Sequence, residues 1–267
     1  ARDRIVSYGG SFPGIFCGAY LVEHATALSL VPGSTWSHLA PLGTKPVERW
    51  NHAAIYDPVG DRMIVFGGNH EYYSDALLND VWALKFNPLQ WTQLAPAGAG
   101  PTPRYGHRAT YDPVRHPMVV VGGEDAVGLF DQVWALDLGA VTSWSQLSSS
   151  GTPLPRRTEH IAVQDTRRDR VIVVGGATEA GLANDVWALD LASNQWSAIS
   201  PTGRLPVPRR AHAATYDHAN DRVMIFGGKV TDAHPLDDVW ALNLGAVAEV
   251  PPPGPAGADP GAAIANS

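Results

Sequence analysis

Hydrophobic and polar positions along the chain follow one pattern that occurs five times. An apolar run ends in two glycines in RIVSYGG, RMIVFGG, PMVVVGG, RVIVVGG and RVMIFGG, and the second glycines are residues 10, 68, 123, 176 and 228. Successive copies are therefore 52 to 58 residues apart. A period of this length predicts a repeat architecture.

Each repeat contains strand-length apolar segments separated by turn residues, and it shows no helical periodicity. The run before the two glycines is apolar at almost every position, which favours a strand that is buried on both faces. A polar loop follows, then a strand of the Asp-Val-Trp-Ala-Leu type, then a segment with another tryptophan. Since one four-stranded sheet cannot cover both of its own faces, we expect the sheets to stack around an axis as the blades of a β-propeller.

The chain resembles the kelch-repeat family in its paired glycines, its Asp-Val-Trp-Ala-Leu strands, its later tryptophans and its Arg-x-x-His segments. The resemblance implies an all-β, five-bladed propeller of kelch type with four-stranded blades. We expect a single domain over 1–267, with a Pro/Gly connector at 251–260. The expected blades are approximately 1–48 plus 261–267, 49–103, 104–155, 156–208 and 209–250.

The beginning and the end of the chain are predicted to complete one blade together. Residue 1 falls inside the turn that precedes the second strand of a repeat, and the C-terminal GAAIANS aligns with HAAIYDP at 52–58. We therefore expect the C-terminal strand to pair with the N-terminal strands and to close the ring, which would remove exposed sheet edges. A Pro/Gly-rich tail without a strand is the alternative.

Eight of the nine tryptophans occupy repeat positions, and we expect them to pack between blades. They are Trp82, Trp134, Trp187 and Trp240 on third strands and Trp36, Trp91, Trp144 and Trp196 on fourth strands. Trp50 is the ninth and lies outside this pattern.

Composition excludes several classes of function. A net charge of −7 argues against nucleic-acid binding, which depends on phosphate neutralisation. No apolar run is long enough for a transmembrane helix. Cys17 is the only cysteine, so an internal disulfide is excluded. We expect a soluble monomer, cytoplasmic or secreted, without a cofactor or a metal.

The strand directions place the Arg-x-x-His segments on the same face as the long loops. This face is the binding surface that the resemblance implies, and guanidinium groups there would suit an anion. The predicted ligand-binding residues are Arg49, Trp50, His52, Tyr72, Arg104, Tyr105, His107, Arg157, His160, Arg209, Arg210 and His212.

Recurrence of the arginines and histidines suggests a structural alternative. Each arginine is expected to pair with the aspartate before Val-Trp (Asp80, Asp185 or Asp238), and each histidine to satisfy backbone groups. The residues that follow the arginines vary between repeats, and they predict an asymmetric surface suited to a sugar, an anionic ring or a peptide. These residues are Trp50, Tyr105, Thr158 and Arg210.

Two functional hypotheses remain, beside a purely structural spacer. The first is a binding module for a peptide, a glycan or a small anionic molecule. The second is an epimerase-like isomerase or cyclase, which would use histidine or carboxylate acid–base chemistry in the axial funnel. The sequence identifies no catalytic residue.

Overall fold

A computed structural model describes residues 4–13, 19–21, 24–70 and 76–245 of the chain. In these ranges the chain forms strands, turns and loops, and it contains no helix that could cross a membrane. The chain divides into two compact units, Ala1–Leu147 and Ser148–Ser267.

The first unit contains the strands of the first three repeats. In chain order they are β1 (Arg4–Tyr8), β2 (Ser11–Pro13), β3 (Ala19–Leu21), β4 (Ala25–Ser29), β5 (Trp36–Leu39), β6 (Ala53–Asp57), β7 (Arg62–Asn69), β8 (Leu77–Phe86), β9 (Leu89–Leu94), β10 (Arg108–Tyr111), β11 (Met118–Val121), β12 (Val133–Asp137) and β13 (Ser143–Leu147). The blade sheets have the orders β1-β4-β5, β6-β7-β8-β9 and β10-β11-β12-β13, and β2 pairs with β3 separately.

The second unit contains the strands of the last two repeats. They are β14 (Ser150–Gly151), β15 (Arg157–Thr158), β16 (Ile161–Asp165), β17 (Arg170–Thr178), β18 (Gly181–Asp190), β19 (Gln195–Ile199), β20 (Ala213–Asp217), β21 (Arg222–Phe226), β22 (Lys229–Thr231), β23 (His234–Pro235) and β24 (Val239–Asn243). One blade sheet pairs β16, β17, β18 and β19 in order, with short β15 beside β17 and β14 beside β19. The other has the order β20-β21-β24, and β22 pairs with β23.

These sheets confirm the predicted all-β chain with five blades of the propeller type. The second, third and fourth repeats each form the predicted four-stranded antiparallel meander. The first and last repeats each show three blade strands within the described residues. Their predicted fourth strands, at 261–267 and near 246–250, and with them the predicted ring closure, lie outside the residues that the structure describes.

Face-to-face packing of neighbouring sheets forms the cores, as the uniformly apolar second strands predict. In the first unit, Ile64 and Phe66 of β7 are fully buried and pack with Trp134 and Trp144 of the next sheet. The second unit has an equivalent core around Ile172 and the strands of its other sheet. Burying a large apolar side chain contributes about 1.5–3 kcal/mol, so these faces drive the stacking.

The repeat tryptophans are mostly buried, but the prediction for Trp36 is wrong. Trp91 and Trp144 pack on second-strand residues of the preceding sheet in the first unit, with ring centroids 5.0 Å from Tyr8 and 4.9 Å from Phe66. The first sheet of that unit has no preceding sheet there, and Trp36 is 64% exposed. Trp240 is half-buried, and the others are buried: Trp82, Trp91, Trp134, Trp144, Trp187 and Trp196.

An aspartate closes the turn between the first and second strands of each of the last four repeats. Asp57 accepts hydrogen bonds from the backbone amides of Val59 and Gly60 and from Arg62 Nε at 2.7 Å. Such side-chain-to-backbone bonds are the reason that aspartate favours tight turns. Equivalent carboxylates in the other repeats are Asp112, Asp165 and Asp217.

Candidate functional site

The Arg-x-x-His segments share one backbone conformation, which fixes where each side chain points. The residue before the histidine has a positive φ in all four segments, with values of 50–66° at Asn51, Gly106, Glu159 and Ala211. Left-handed backbone is uncommon for residues other than glycine, so the shared value marks a shared local structure. In each segment the arginine is buried in the blade, while the residue after it pairs with the residue that follows the two glycines.

The arginine of the second repeat, Arg49, forms a buried ion pair with Asp80, and we call an arginine–aspartate pair of this kind a clamp. Arg49 is fully buried, and its Nη1 and Nη2 donate to the two carboxylate oxygens of Asp80 at 2.6 and 3.0 Å. The guanidinium also donates to the carbonyls of Val47 and Gly67, while Trp82 Nε1 donates to Asp80 at 2.6 Å. The clamp therefore joins the segment before the first strand to the second and third strands.

The second unit repeats this clamp twice. Arg157 donates to both oxygens of Asp185 at 2.8 Å, and Arg209 Nη2 donates to Asp238 at 2.7 Å. Both guanidinium groups also reach the carbonyl of the first glycine of the pair. The predicted pairing of three recurring arginines with Asp80, Asp185 and Asp238 is thus confirmed.

The third repeat keeps the arginine but replaces the aspartate with Gln132. Arg104 Nη2 donates to Gln132 Oε1 at 2.9 Å and to Thr102 Oγ1, and its guanidinium carbon lies 4.1 Å from the centroid of the Phe130 ring. Since burial removes hydration without a bonded carboxylate, it lowers the pKa of Arg104 to about 10. This repeat therefore stabilises a buried cation with a neutral amide and an aromatic face.

The clamps also determine the ionisation of their carboxylates. Burial alone would raise the pKa of Asp80, but hydrogen bonds from Arg49 and Trp82 outweigh it and hold that pKa below its ordinary value. Asp185 has the same balance of causes and the same lowered pKa. The hydrogen bond from Arg209 lowers the pKa of Asp238 to about 2. The three carboxylates are ionised near neutral pH.

The histidines fill the space that the paired glycines leave. A Cβ atom on Gly67 would lie 2.8 Å from Cε1 of His107 in the next repeat, and one on Gly68 would lie 2.8 Å from Cβ of His52 in the same repeat. His107 also lies 3.2 Å from the Phe66 carbonyl oxygen through Nε2, in agreement with a backbone-satisfying role. The paired glycines thus allow close packing of the backbone against two histidines.

Loss of hydration keeps two of these histidines, His52 and His107, neutral. It lowers the pKa of His52 to about 4, with Arg49 and Arg108 acting in the same direction. It lowers the pKa of His107 well below the ordinary value, again reinforced by nearby arginines. His160 and His212 are also buried. His52 and His107 are therefore uncharged packing groups near neutral pH.

The residue after each arginine forms a short antiparallel bridge with the residue after the two glycines. Trp50 and Asn69 exchange backbone hydrogen bonds of 3.0 and 2.9 Å, and Tyr105 and Glu124 do so at 3.1 and 2.9 Å. We call these positions the rim. Its members in the first unit are Trp50, Asn69, Tyr105 and Glu124, and in the second unit Thr158, Ala177, Arg210 and Lys229.

The rim of the first unit is aromatic. The Trp50 and Tyr105 rings have centroids 6.0 Å apart at an interplanar angle of 47°, and both side chains are half-buried. Asn69 is buried, whereas Glu124 is half-buried. This surface offers two large apolar faces beside polar groups.

The rim of the second unit is charged. Arg210 donates to Glu159 Oε2 at 3.1 Å and to Asp232 Oδ1 at 3.2 Å, and Lys229 Nζ lies 2.7 Å from the same Asp232 oxygen. The Lys229 ammonium, helped by Arg210, holds the pKa of the Asp232 carboxyl below its ordinary value. Thr158 is buried and contributes little surface.

The structure separates the predicted site residues into two groups. The arginines at 49, 104, 157 and 209 and the histidines at 52, 107, 160 and 212 lie inside the blades, and the four guanidinium groups bind protein acceptors. Trp50, Tyr105 and Arg210 lie on the rim, and Tyr72 falls outside the described residues. Sequence reasoning missed Asn69 and Lys229 as rim residues, although their position directly after the two glycines was a usable signal. No group of three or more potential metal ligands occurs in the described ranges.

Comparison with known proteins places the whole chain among similar repeats. A family model described as the KLHDC2/KLHL20/DRC7 Kelch-repeats domain matches residues 3–216 and, in an overlapping match, 167–262. Host cell factor 1 of Homo sapiens is 28% identical over 260 residues, which is 89% of this chain and 12% of that protein. Putative adagio-like protein 2 of Oryza sativa subsp. japonica is 31% identical over 228 residues, or 78% of this chain and 34% of that protein. The chain therefore spans only 12 to 34% of the length of these relatives.

Proposed function

Because the chain belongs to the kelch-repeat family, we propose that it is a protein-interaction module that binds an extended peptide segment of a partner protein on the rim of its first unit. Family membership and the similarity to host cell factor 1 support an interaction module. The choice of a peptide over a glycan or a small anion rests on the chemistry of the rim.

The Trp50–Tyr105 pair is the observation that carries this proposal. Large aromatic side chains that combine an apolar ring with a polar tip dominate the binding energy of protein interfaces. Both residues depart from the repeat pattern, and both are half-buried, so the backbone bridges hold them in place before a partner arrives. Such preorganisation lowers the entropic cost of binding.

The buried clamps make an anion site at the recurring arginines unfavourable. Each of Arg49, Arg157 and Arg209 already donates to an internal carboxylate at 2.6–2.8 Å. A carboxylate or phosphate from outside could bind these arginines only by displacing that carboxylate. A partner peptide instead meets the aromatic faces of Trp50 and Tyr105 in the first unit. We therefore expect the bound segment to supply an apolar anchor for Trp50 and Tyr105.

The test is selection of binders from a phage-displayed library of random peptides on the immobilised full chain. Peptides that enrich should lose about tenfold or more in affinity on the Trp50→Ala and Tyr105→Ala variants, which is the loss expected for an aromatic hot spot. Trp36→Ala is the matched control, because Trp36 is 64% exposed and lies on the edge strand β5 of its sheet. Enrichment of no peptide, or peptides that bind both rim variants as tightly as the unmodified chain, would contradict the proposal.

A further inference from the structure

Two histidines of the first repeat stand at positions where the other repeats carry different residues. His24 precedes Thr26 of β4 by two residues, which is the position of the side chain that accepts from the buried arginine in the other repeats. His38 of β5 lies opposite Thr26. The residues at the position of His24 are Asp80, Gln132, Asp185 and Asp238, and those at the position of His38 in the second, third and fourth repeats are Gln93, Gln146 and Ala198.

Strand geometry brings the two imidazoles together. Side chains two residues apart lie on the same face of a sheet, so His24 is the diagonal neighbour of His38 across β4 and β5. The two ring centroids are 5.5 Å apart at an interplanar angle of 84°. Neither ring forms a hydrogen bond or an ion pair with another residue in the described ranges. The ring nitrogens can therefore bind a ligand without losing a contact made there.

The histidine pair is open to solvent, and its openness is a property of the blade. His24 and His38 are both exposed. The residues at the position of His38 in the next three repeats are exposed as well. Gln93 stays exposed although its own sheet packs against the first sheet. A neighbouring sheet therefore does not cover this position.

The separation of the two rings suits a single transition-metal ion. Neutral imidazole is the commonest metal ligand in proteins, and it binds zinc, copper and nickel. Two imidazoles that bind one zinc ion at about 2.0–2.1 Å in tetrahedral geometry have ring centres roughly 5 Å apart. The separation of 5.5 Å between His24 and His38 is close to this value.

We propose that His24 and His38 bind a divalent transition-metal ion of the zinc class, and that the ion joins β4 to β5. The two imidazoles supply two tetrahedral positions, and water occupies the others. Because the strands already hold both rings at the required separation, the folded chain binds the ion and the unfolded chain does not, so binding raises stability. This site is separate from the rim and does not depend on the function proposed for it.

The test is isothermal titration calorimetry of zinc chloride into the full chain carrying Cys17→Ser, because a thiolate is also a zinc ligand. We expect saturable binding of one zinc ion per chain and a rise in Tm when zinc is added. His24→Gln and His38→Gln should each weaken the affinity by about tenfold or more, since loss of an outer-shell partner alone has an effect of that size.

The chain itself supplies the matched variants and the control. Glutamine is the residue that the third repeat carries at both positions, as Gln132 and Gln146, so the two variants retain side chains that this fold accepts. His234→Gln is the control, because His234 is exposed and its Nδ1 lies 2.7 Å from Thr231 Oγ1. Urea denaturation without zinc verifies that each variant is folded, so that weaker binding reports the lost ligand.

Three results would overturn the proposal. One is the absence of saturable zinc binding. Another is an affinity that neither His24→Gln nor His38→Gln weakens, since the ion would then be bound elsewhere. The third is an equal loss of affinity in His234→Gln, which would show that zinc binds to surface histidines without selecting the pair.

Discussion

Arg49 and Trp50 are neighbours in the sequence, yet they belong to two regions with different physical roles. Arg49 has a counterpart in every Arg-x-x-His segment, is fully buried and is bonded to Asp80. Trp50 has no tryptophan counterpart in the other segments and lies half-buried on the rim. Recurrence in this chain therefore marks residues that stabilise a blade, and the proposed function assigns partner binding to residues that depart from the repeat.

Replacing a clamp arginine should have the largest effect on the free energy of unfolding. Arg49→Ala leaves the Asp80 carboxylate without its bidentate partner, so the free energy of unfolding should fall by about 3–5 kcal/mol, as for other broken buried ion pairs. Urea denaturation followed by tryptophan fluorescence measures the change. A loss below about 1 kcal/mol, the value for an exposed pair, would show that the clamp contributes little.

Acidification should weaken the clamps and leave the rim aromatics unaffected. The pKa values of Asp80, Asp185 and Asp238 are lower in the folded protein than in the unfolded chain. The stability that these groups contribute is therefore present above about pH 4 and is lost as the pH falls toward the folded value, which is about 2 for Asp238.

Urea denaturation over this pH range measures the loss. In the variant Asp238→Asn, the free energy of unfolding should fall less steeply with decreasing pH than in the unmodified chain. The reason is that one carboxylate whose protonation is coupled to unfolding has been removed. An identical slope in both proteins would contradict the assignment.

In the third repeat, a substitution that restores the carboxylate partner of the arginine should increase stability. Gln132→Asp gives buried Arg104 the carboxylate that the other clamps have, and it should raise the free energy of unfolding by about 1 kcal/mol after the cost of burying a second charge. Asp80→Gln is the reciprocal control and should destabilise. Destabilisation by Gln132→Asp would show that the Phe130 face and the amide are already the better environment for Arg104.

Substitution on the rim should have the smallest effect on stability. Tyr105→Ala removes a half-buried ring and its contact with Trp50 at 6.0 Å, and it leaves the backbone bridge to Glu124 intact. We expect a loss of about 1 kcal/mol, the contribution of one aromatic pair. Thermal denaturation measures it, and a loss as large as that of Arg49→Ala would remove the distinction between rim and clamp.

The sequence predicted the clamps well because both partners recur. Asp80 follows Arg49 by nearly the same spacing as Asp185 follows Arg157, so the pairing could be inferred without coordinates. The paired glycines and the five apolar runs likewise predicted the strands and their burial. Repetition supplies several independent observations of each local contact.

Features that depend on a single position were harder to predict. The positive φ before each histidine falls on Asn51, Gly106, Glu159 and Ala211, and a glutamate and an alanine give no local sign of that conformation. The salt bridges of Arg210 with Glu159 and Asp232 join positions 51 and 22 residues apart in the sequence. Trp36 keeps the repeat residue but lacks a covering sheet in its unit, so its sequence context was misleading.

The central claim is that the residue after the arginine binds and the arginine itself does not. The most direct measurement is the affinity of a library-selected peptide for Trp50→Ala, with the free energy of unfolding of the same preparation determined by urea denaturation. We expect the affinity to fall about tenfold or more while the free energy of unfolding changes by about 1 kcal/mol. Unchanged affinity in a folded Trp50→Ala variant would contradict the claim, and it would place the binding surface elsewhere on the chain.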